Sequence, residues 1–158
     1  MTGILMALIL TQSGITEAPS QTRQVAETYM QAYQAQNFEV LETLYSDDAL
    51  FVDPTSNDVA PITPPIRWEG PDAIIAGLQG WGVARMTYSL DRSFEASGQV
   101  IYDGVSDVVY ATANGPVTYR FPIITIITVE DGQVSEHRDY TDYAGMQRLN
   151  PVEQSPPD

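Results

Sequence analysis

From Met86 to Tyr143 the chain is a succession of β-rich runs with almost nothing between them, and that stretch limits the fold more than any other feature. The runs are about Met86–Ala96, Gln99–Thr112, Val117–Glu130 and Gln133–Tyr143, dense in Val, Ile, Thr, Tyr and Phe, which suit a pleated surface. Asn114-Gly115 and Asp131-Gly132 supply tight turns, because a two-residue hairpin needs the positive φ that Asn, Asp and Gly tolerate. A long antiparallel meander is expected. An open curved sheet of this kind must bury one face against something else.

The preceding half supplies the cover. After Pro19-Ser20, Val25, Tyr29 and Tyr33 recur at helical spacing with Ala26 and Met30 beside them. Asn37 caps a second, shorter helix, Phe38 to Tyr45, with Leu41 and Leu44 inward. Ala49 to Val52 reads as a short strand stopped by Asp53-Pro54, and a loop with Pro61, Pro64 and Pro65 follows. Gly70-Pro71 opens a third helix to about Trp81, with Ile74, Ile75 and Leu78 on its apolar side. A last helical turn is expected at Ala144 to Leu149. Helices first and a meander second give an α+β class, a curved antiparallel sheet wrapped around N-terminal helices. Its open end is a natural place for a ligand.

A chain of 158 residues fits one domain with a real core, here residues 20–150, followed by a polar tail, 151–158. Residues 1–19 read either as a signal peptide or as an N-terminal segment, docked or disordered. Ile4 to Leu10 is apolar but far shorter than the roughly 20 residues of a membrane span. Localisation follows that choice: periplasmic or secreted with a signal peptide, cytoplasmic without one. The absence of cysteine removes disulfides, thiolate zinc sites and thiol catalysis. A formal charge of -14, with arginine as the sole cationic residue apart from one histidine, argues against a nucleic-acid partner and suits a neutral or cationic ligand. No phosphate loop, dinucleotide fingerprint, nucleophile elbow or metal-ligand spacing is present, so no cofactor and no metal are expected.

Three segments carry more than composition: LYSDDALFVDP ending at Pro54, WEGPDAI starting at Trp68, and EHRDYTDY ending at Tyr143. With the order of elements they make the chain, over about Thr22 to Leu149, resemble the nuclear-transport-factor-two-like superfamily. The resemblance is to its SnoaL-like polyketide cyclase, limonene epoxide hydrolase and ketosteroid isomerase branches, and it implies a cone-shaped curved antiparallel sheet around the N-terminal helices, a cystatin-like α+β barrel. This fold hosts many chemistries and also plain binding proteins.

The resemblance implies two sets of acid/base residues. The isomerase branch places a general base at Asp53 and an oxyanion-stabilising phenol at Tyr29, while Thr125 stands where that branch has a second, protonated carboxyl. The epoxide hydrolase branch places aspartates at Asp139 and Asp107, one to activate water and one to protonate the epoxide. Val105, Phe51 and Asp53 stand where it has its linking arginine and its water-holding tyrosine and asparagine. The cyclase branch also has an acid/base Asp at the place of Asp139. Independently of any family, residues i and i+2 of a strand share a face, so His137 and Thr141 follow Asp139. His137 is then a candidate relay. Val109, Phe121 and Ile123 are expected to line the cavity with Asp107, and Met30, Tyr33, Trp81 and Met146 to close it. The expected partner is a small apolar molecule, with the protein a homodimer through its outer sheet face. The competing reading is a non-catalytic binding or dimerisation domain.

Overall fold

The computed structural model describes residues 18–59 and 65–149. The expectations for residues 1–17, for Pro61 and Pro64 and for the tail at 151–158 lie outside the described residues.

Helix α1 spans Gln21–Gln34 and starts where the Ser20 hydroxyl accepts from the Arg23 amide at 3.0 Å. Its inward stripe is Ala26, Tyr29, Met30 and Tyr33, all buried. Helix α2, Phe38–Leu44, is capped by Asn37, whose side chain accepts from the Val40 amide. Helix α3, Pro71–Gly80, opens on proline and buries Ile74 and Leu78. A Cβ on Gly77 would come within 2.3 Å of the Trp68 ring, so the glycine lets that indole lie against the helix.

The strands are β1 (Tyr45–Val52), β2 (Arg67–Glu69), β3 (Val83–Ala96), β4 (Gln99–Thr112), β5 (Gly115–Glu130), β6 (Gln133–Thr141) and β7 (Gln147–Leu149). They lie in the order β2-β1-β6-β5-β4-β3, with β7 on β5. The α+β class and the N-terminal helices are as the sequence predicts. The sheet is mixed and unclosed, however, because β1 runs parallel to β6 while the other pairs are antiparallel. The final helical turn is a strand instead: Gln147–Leu149 pairs with Arg120, Tyr119 and Thr118 of β5.

Register decides which side chains reach the core. The turn sits at Ala113-Asn114, one residue before the expected Asn114-Gly115, and pairs Thr112 with Gly115; the same register carries down to Ser106 opposite Phe121 and Tyr102 opposite Thr125. Val100, Tyr102, Ser106 and Val108 are buried on the inner face, as are Ile123, Thr125 and Ile127 from β5. On β6 a register shift near Val134 brings Ile127 level with His137 and Thr125 level with Asp139. That bulge turns His137 and Asp139 inward. At Gly104 a Cβ would meet the Ser89 backbone oxygen at 2.2 Å, so the glycine permits β3 to press against β4 beside its own register shift. The core cluster runs from α1 through β1 to the inner faces of β4, β5 and β6.

Candidate active site

The apolar end of the cone holds a cavity of about 320 Å³. This is near the lower end of the roughly 300–1,000 Å³ typical of small-molecule pockets. Its walls are aromatic and aliphatic: Tyr33, Trp81, Met86, Tyr88, Val108, Tyr110, Phe121 and Ile123 among them. Asp53, Ser106, Asp139, Thr141 and Tyr143 add the polar atoms.

Asp139 is 4% exposed and stands on β6 between two supports. Thr125, directly opposite on β5, donates its hydroxyl to Asp139 Oδ1 at 2.5 Å. Tyr88 OH lies 3.2 Å from that same threonine oxygen. Behind Asp139 the His137 ring is fully buried, with Nε2 2.9 Å from Asp139 Oδ1. The ring N–H is not aligned with that oxygen, so Nε2 has a close electrostatic neighbour but no full hydrogen bond. The other ring nitrogen is well held: Tyr29 OH lies 2.7 Å from Nδ1, and Tyr45 OH lies 2.5 Å from Tyr29 OH. One consistent order has Tyr45 donating to Tyr29 and Tyr29 to Nδ1, which leaves a neutral imidazole with its proton on Nε2 beside Asp139. Phe51 stacks on the imidazole at 4.2 Å and fixes its plane.

Asp53 is 2% exposed and is held by different groups. Its Oδ1 accepts from the Thr55 amide at 2.9 Å and the Thr55 hydroxyl at 2.5 Å, and its Oδ2 accepts from Tyr143 OH at 2.7 Å. Thr55 Oγ1 in turn accepts from the Thr141 amide, tying this turn to the end of β6. In β1, Val52 is in register with Arg138, so the next residues along, Asp53 and Asp139, come level with each other.

The phenols around these acids keep their protons. Burial pushes Tyr29, Tyr33 and Tyr88 well above the usual tyrosine range, and the negative charge of Asp139 adds to it. Tyr143 is raised by burial and by its hydrogen bond to Asp53. At neutral pH these hydroxyls serve as donors and not as bases.

The expected site residues divide accordingly. Asp139, Asp53, Tyr33, Trp81, Phe121, Ile123 and Thr141 line the cavity, and His137 and Tyr29 stand directly behind it. Asp107 does not join them. It sits on the outer face opposite Arg120, which holds both its carboxylate oxygens at 2.7 Å, so the Asp107–Asp139 pair is not formed. Val109 lies on the same outer-facing register as Asp107, and the cavity is lined by Val108 instead. Met30 is buried in the core beside the cavity without lining it, and Met146 is 44% exposed outside it. The sequence reading of Asp107 and Val109 took the wrong parity. The Asn-Gly turn already pairs even positions of β4 with odd positions of β5, so Phe121 and Ile123 inward require Ser106 and Val108 inward. The same count would have found Tyr110. Tyr45, Tyr88 and Tyr143 had no comparable signal.

The family model for the SnoaL-like domain matches residues 26–137. No curated protein matches the chain. Among solved structures, one described as a SnoaL-like polyketide cyclase from Shewanella putrefaciens CN-32 is 24% identical with a TM-score of 0.69, over 81% of this chain and 93% of that one. An LEH-like epoxide hydrolase from M. tuberculosis is 18% identical with a TM-score of 0.62, over 78% and 84%. A computationally designed 17-OHP binder is 16% identical with a TM-score of 0.69, over 83% and 100%. At these identities the likeness to the three structures is one of fold.

Proposed function

Because the chain belongs to the SnoaL-like family, we propose that its cavity carries out cofactor-free acid/base chemistry on a small, largely apolar molecule. Asp139 is the group that exchanges the proton. The observation that carries this reading is the asymmetry of its carboxylate: Oδ1 takes the Thr125 hydroxyl and the His137 contact, while among the described residues no donor reaches Oδ2. A nearly buried carboxylate with one anchored and one free oxygen is a positioned base, and a protonated one is a positioned acid. Asp53, anchored at both oxygens, is the fixed neighbour. His137 connects Asp139 to the two tyrosines behind it and acts as a positioning residue. Proton transfer to or from carbon serves isomerisation, cyclisation and dehydration alike. A well-placed general base contributes about 10²–10⁴-fold in rate.

The test follows cyclohex-3-enone in D₂O by NMR, which reads both deuterium uptake beside the carbonyl and migration of the double bond. The wild-type protein is expected to exceed buffer, and Asp139→Asn to lose about 10²–10⁴-fold of that rate while melting as the wild type does. A wild-type rate equal to buffer, or an unchanged Asp139→Asn, removes the catalytic reading and leaves a binding domain.

A further inference from the structure

The charge in the cavity is of one sign. Asp53, just past the end of β1, comes level with Asp139 on β6, both are nearly fully buried, and among the described residues no arginine or histidine lines the cavity. Four arginines of the sheet are paired with carboxylates away from the cavity, Arg67 with Glu69, Arg92 with Asp103, Arg120 with Asp107 and Arg138 with Glu136, and neither Arg85 nor Arg148 is among the lining residues. His137, the one base close by, has Nδ1 occupied by Tyr29. Buried carboxylates without a cation are costly unless a proton or a positive ligand joins them. The free Oδ2 of Asp139 is a nearly buried acceptor on the cavity wall with no partner among the described residues.

The rest of the lining suits the same occupant. Trp81, Tyr88, Tyr110, Phe121 and Tyr33 present aromatic rings, whose faces attract a cation and whose bodies accept an apolar one. A hard inorganic ion is a poor fit, since calcium takes roughly six to eight oxygen ligands. Among the described residues no group of three or more acidic or histidine side chains is placed to hold a metal ion. We infer that the ligand of this cavity is an organic cation: a small apolar molecule bearing a protonated amine, its N–H directed at Asp139 Oδ2 and its charge shared with Asp53. The inference rests on the cavity being the working site, and it narrows the ligand from apolar molecules in general to amines.

Three probes of one shape test it, benzylammonium, benzyl alcohol and benzoate, each titrated into the wild-type protein by calorimetry at neutral pH and millimolar concentration. Benzylammonium is expected to bind about tenfold or more tightly than benzyl alcohol, a gap of about 1.4 kcal/mol, and benzoate not measurably. In Asp139→Asn and Asp53→Asn the ratio of amine to alcohol affinity, with both probes measured on each variant, should fall at least threefold, on the order of the charge term removed. Equal binding of amine and alcohol, binding of benzoate, or no binding by any probe overturns the inference. If a variant does not fold, the wild-type order of the three probes decides alone. Ketone exchange without amine preference sinks only this inference. Amine preference without exchange sinks only the catalytic reading.

Discussion

The two faces of the sheet treat acidic residues in opposite ways. On the outer face Asp107 lies across from Arg120, and the two form a bidentate pair in partial contact with water. On the inner face Asp139 lies across from Thr125, a neutral hydroxyl, with a buried imidazole behind it. Both aspartates sit mid-strand, and both meet a cross-strand donor. The outer carboxylate is neutralised by its fold neighbours; the inner one is left with a free oxygen facing a cavity. A carboxylate that the protein has already paired is structural, and one held without a counter-charge is available for chemistry.

Three experiments can break or sharpen this contrast. The largest effect is expected at His137, which is fully buried, stacked on Phe51 and bonded to Tyr29. His137→Ala should destabilise the fold by about 3–5 kcal/mol, the scale of removing a large ring from a core, as read from urea unfolding. A loss below about 1 kcal/mol would place the histidine outside the packed scaffold of the inner face.

A smaller effect is expected in base. Burial raises Tyr102 to about 12 and raises Tyr29, Tyr33 and Tyr88 well beyond their ordinary value of 10.0. In the unfolded chain these phenols titrate near about 10. Since the folded values are the higher ones, their stabilising contribution is complete below the unfolded value and is lost as pH rises through the folded values. Urea midpoints should therefore hold to about pH 10 and fall from there upward. The phenolate absorbance of the buried tyrosines should appear together with loss of the fold. Ionisation of all tyrosines near pH 10 in a still-folded protein would show the inner face to be wet.

The smallest effect is expected outside. Asp107→Asn and Arg120→Gln should leave both the melting temperature and the cyclohex-3-enone rate close to wild type, because a pair in contact with solvent is screened and replaced by water. A large loss of rate in Asp107→Asn would restore it to the acid/base set and undo the contrast between the faces.

Much of the fold is legible in the sequence because it is locally encoded. The Asn-Gly and Asp-Gly turns fix hairpins, and Tyr29 and Tyr33 fix the inward side of α1. What escapes are the non-local choices. The bulge on β6 has no glycine or proline to announce it, yet without it His137 and Asp139 would point to the other face. The parallel pairing of β1 with β6 joins segments that no turn links. Asp139 and Asp53 could each be named as candidates on a family resemblance, but their becoming neighbours depends on that pairing.

The parallel β1–β6 contact also bears on how the site comes into being. The strands from β3 to β6 are linked by short turns and can zip together in sequence, whereas bringing Thr55 to Thr141 joins residues 86 apart. Closing so long a loop carries an entropic cost that neighbouring hairpins avoid, and such contacts slow folding. A chain that has formed only the meander owns Asp139 but not Asp53, and has a sheet without a pocket. The pairing of Asp53 with Asp139 is thus a product of long-range closure and not of the hairpins alone. Weakening of the β1–β6 seam would separate the two carboxylates before it dissolves the hairpins of the sheet.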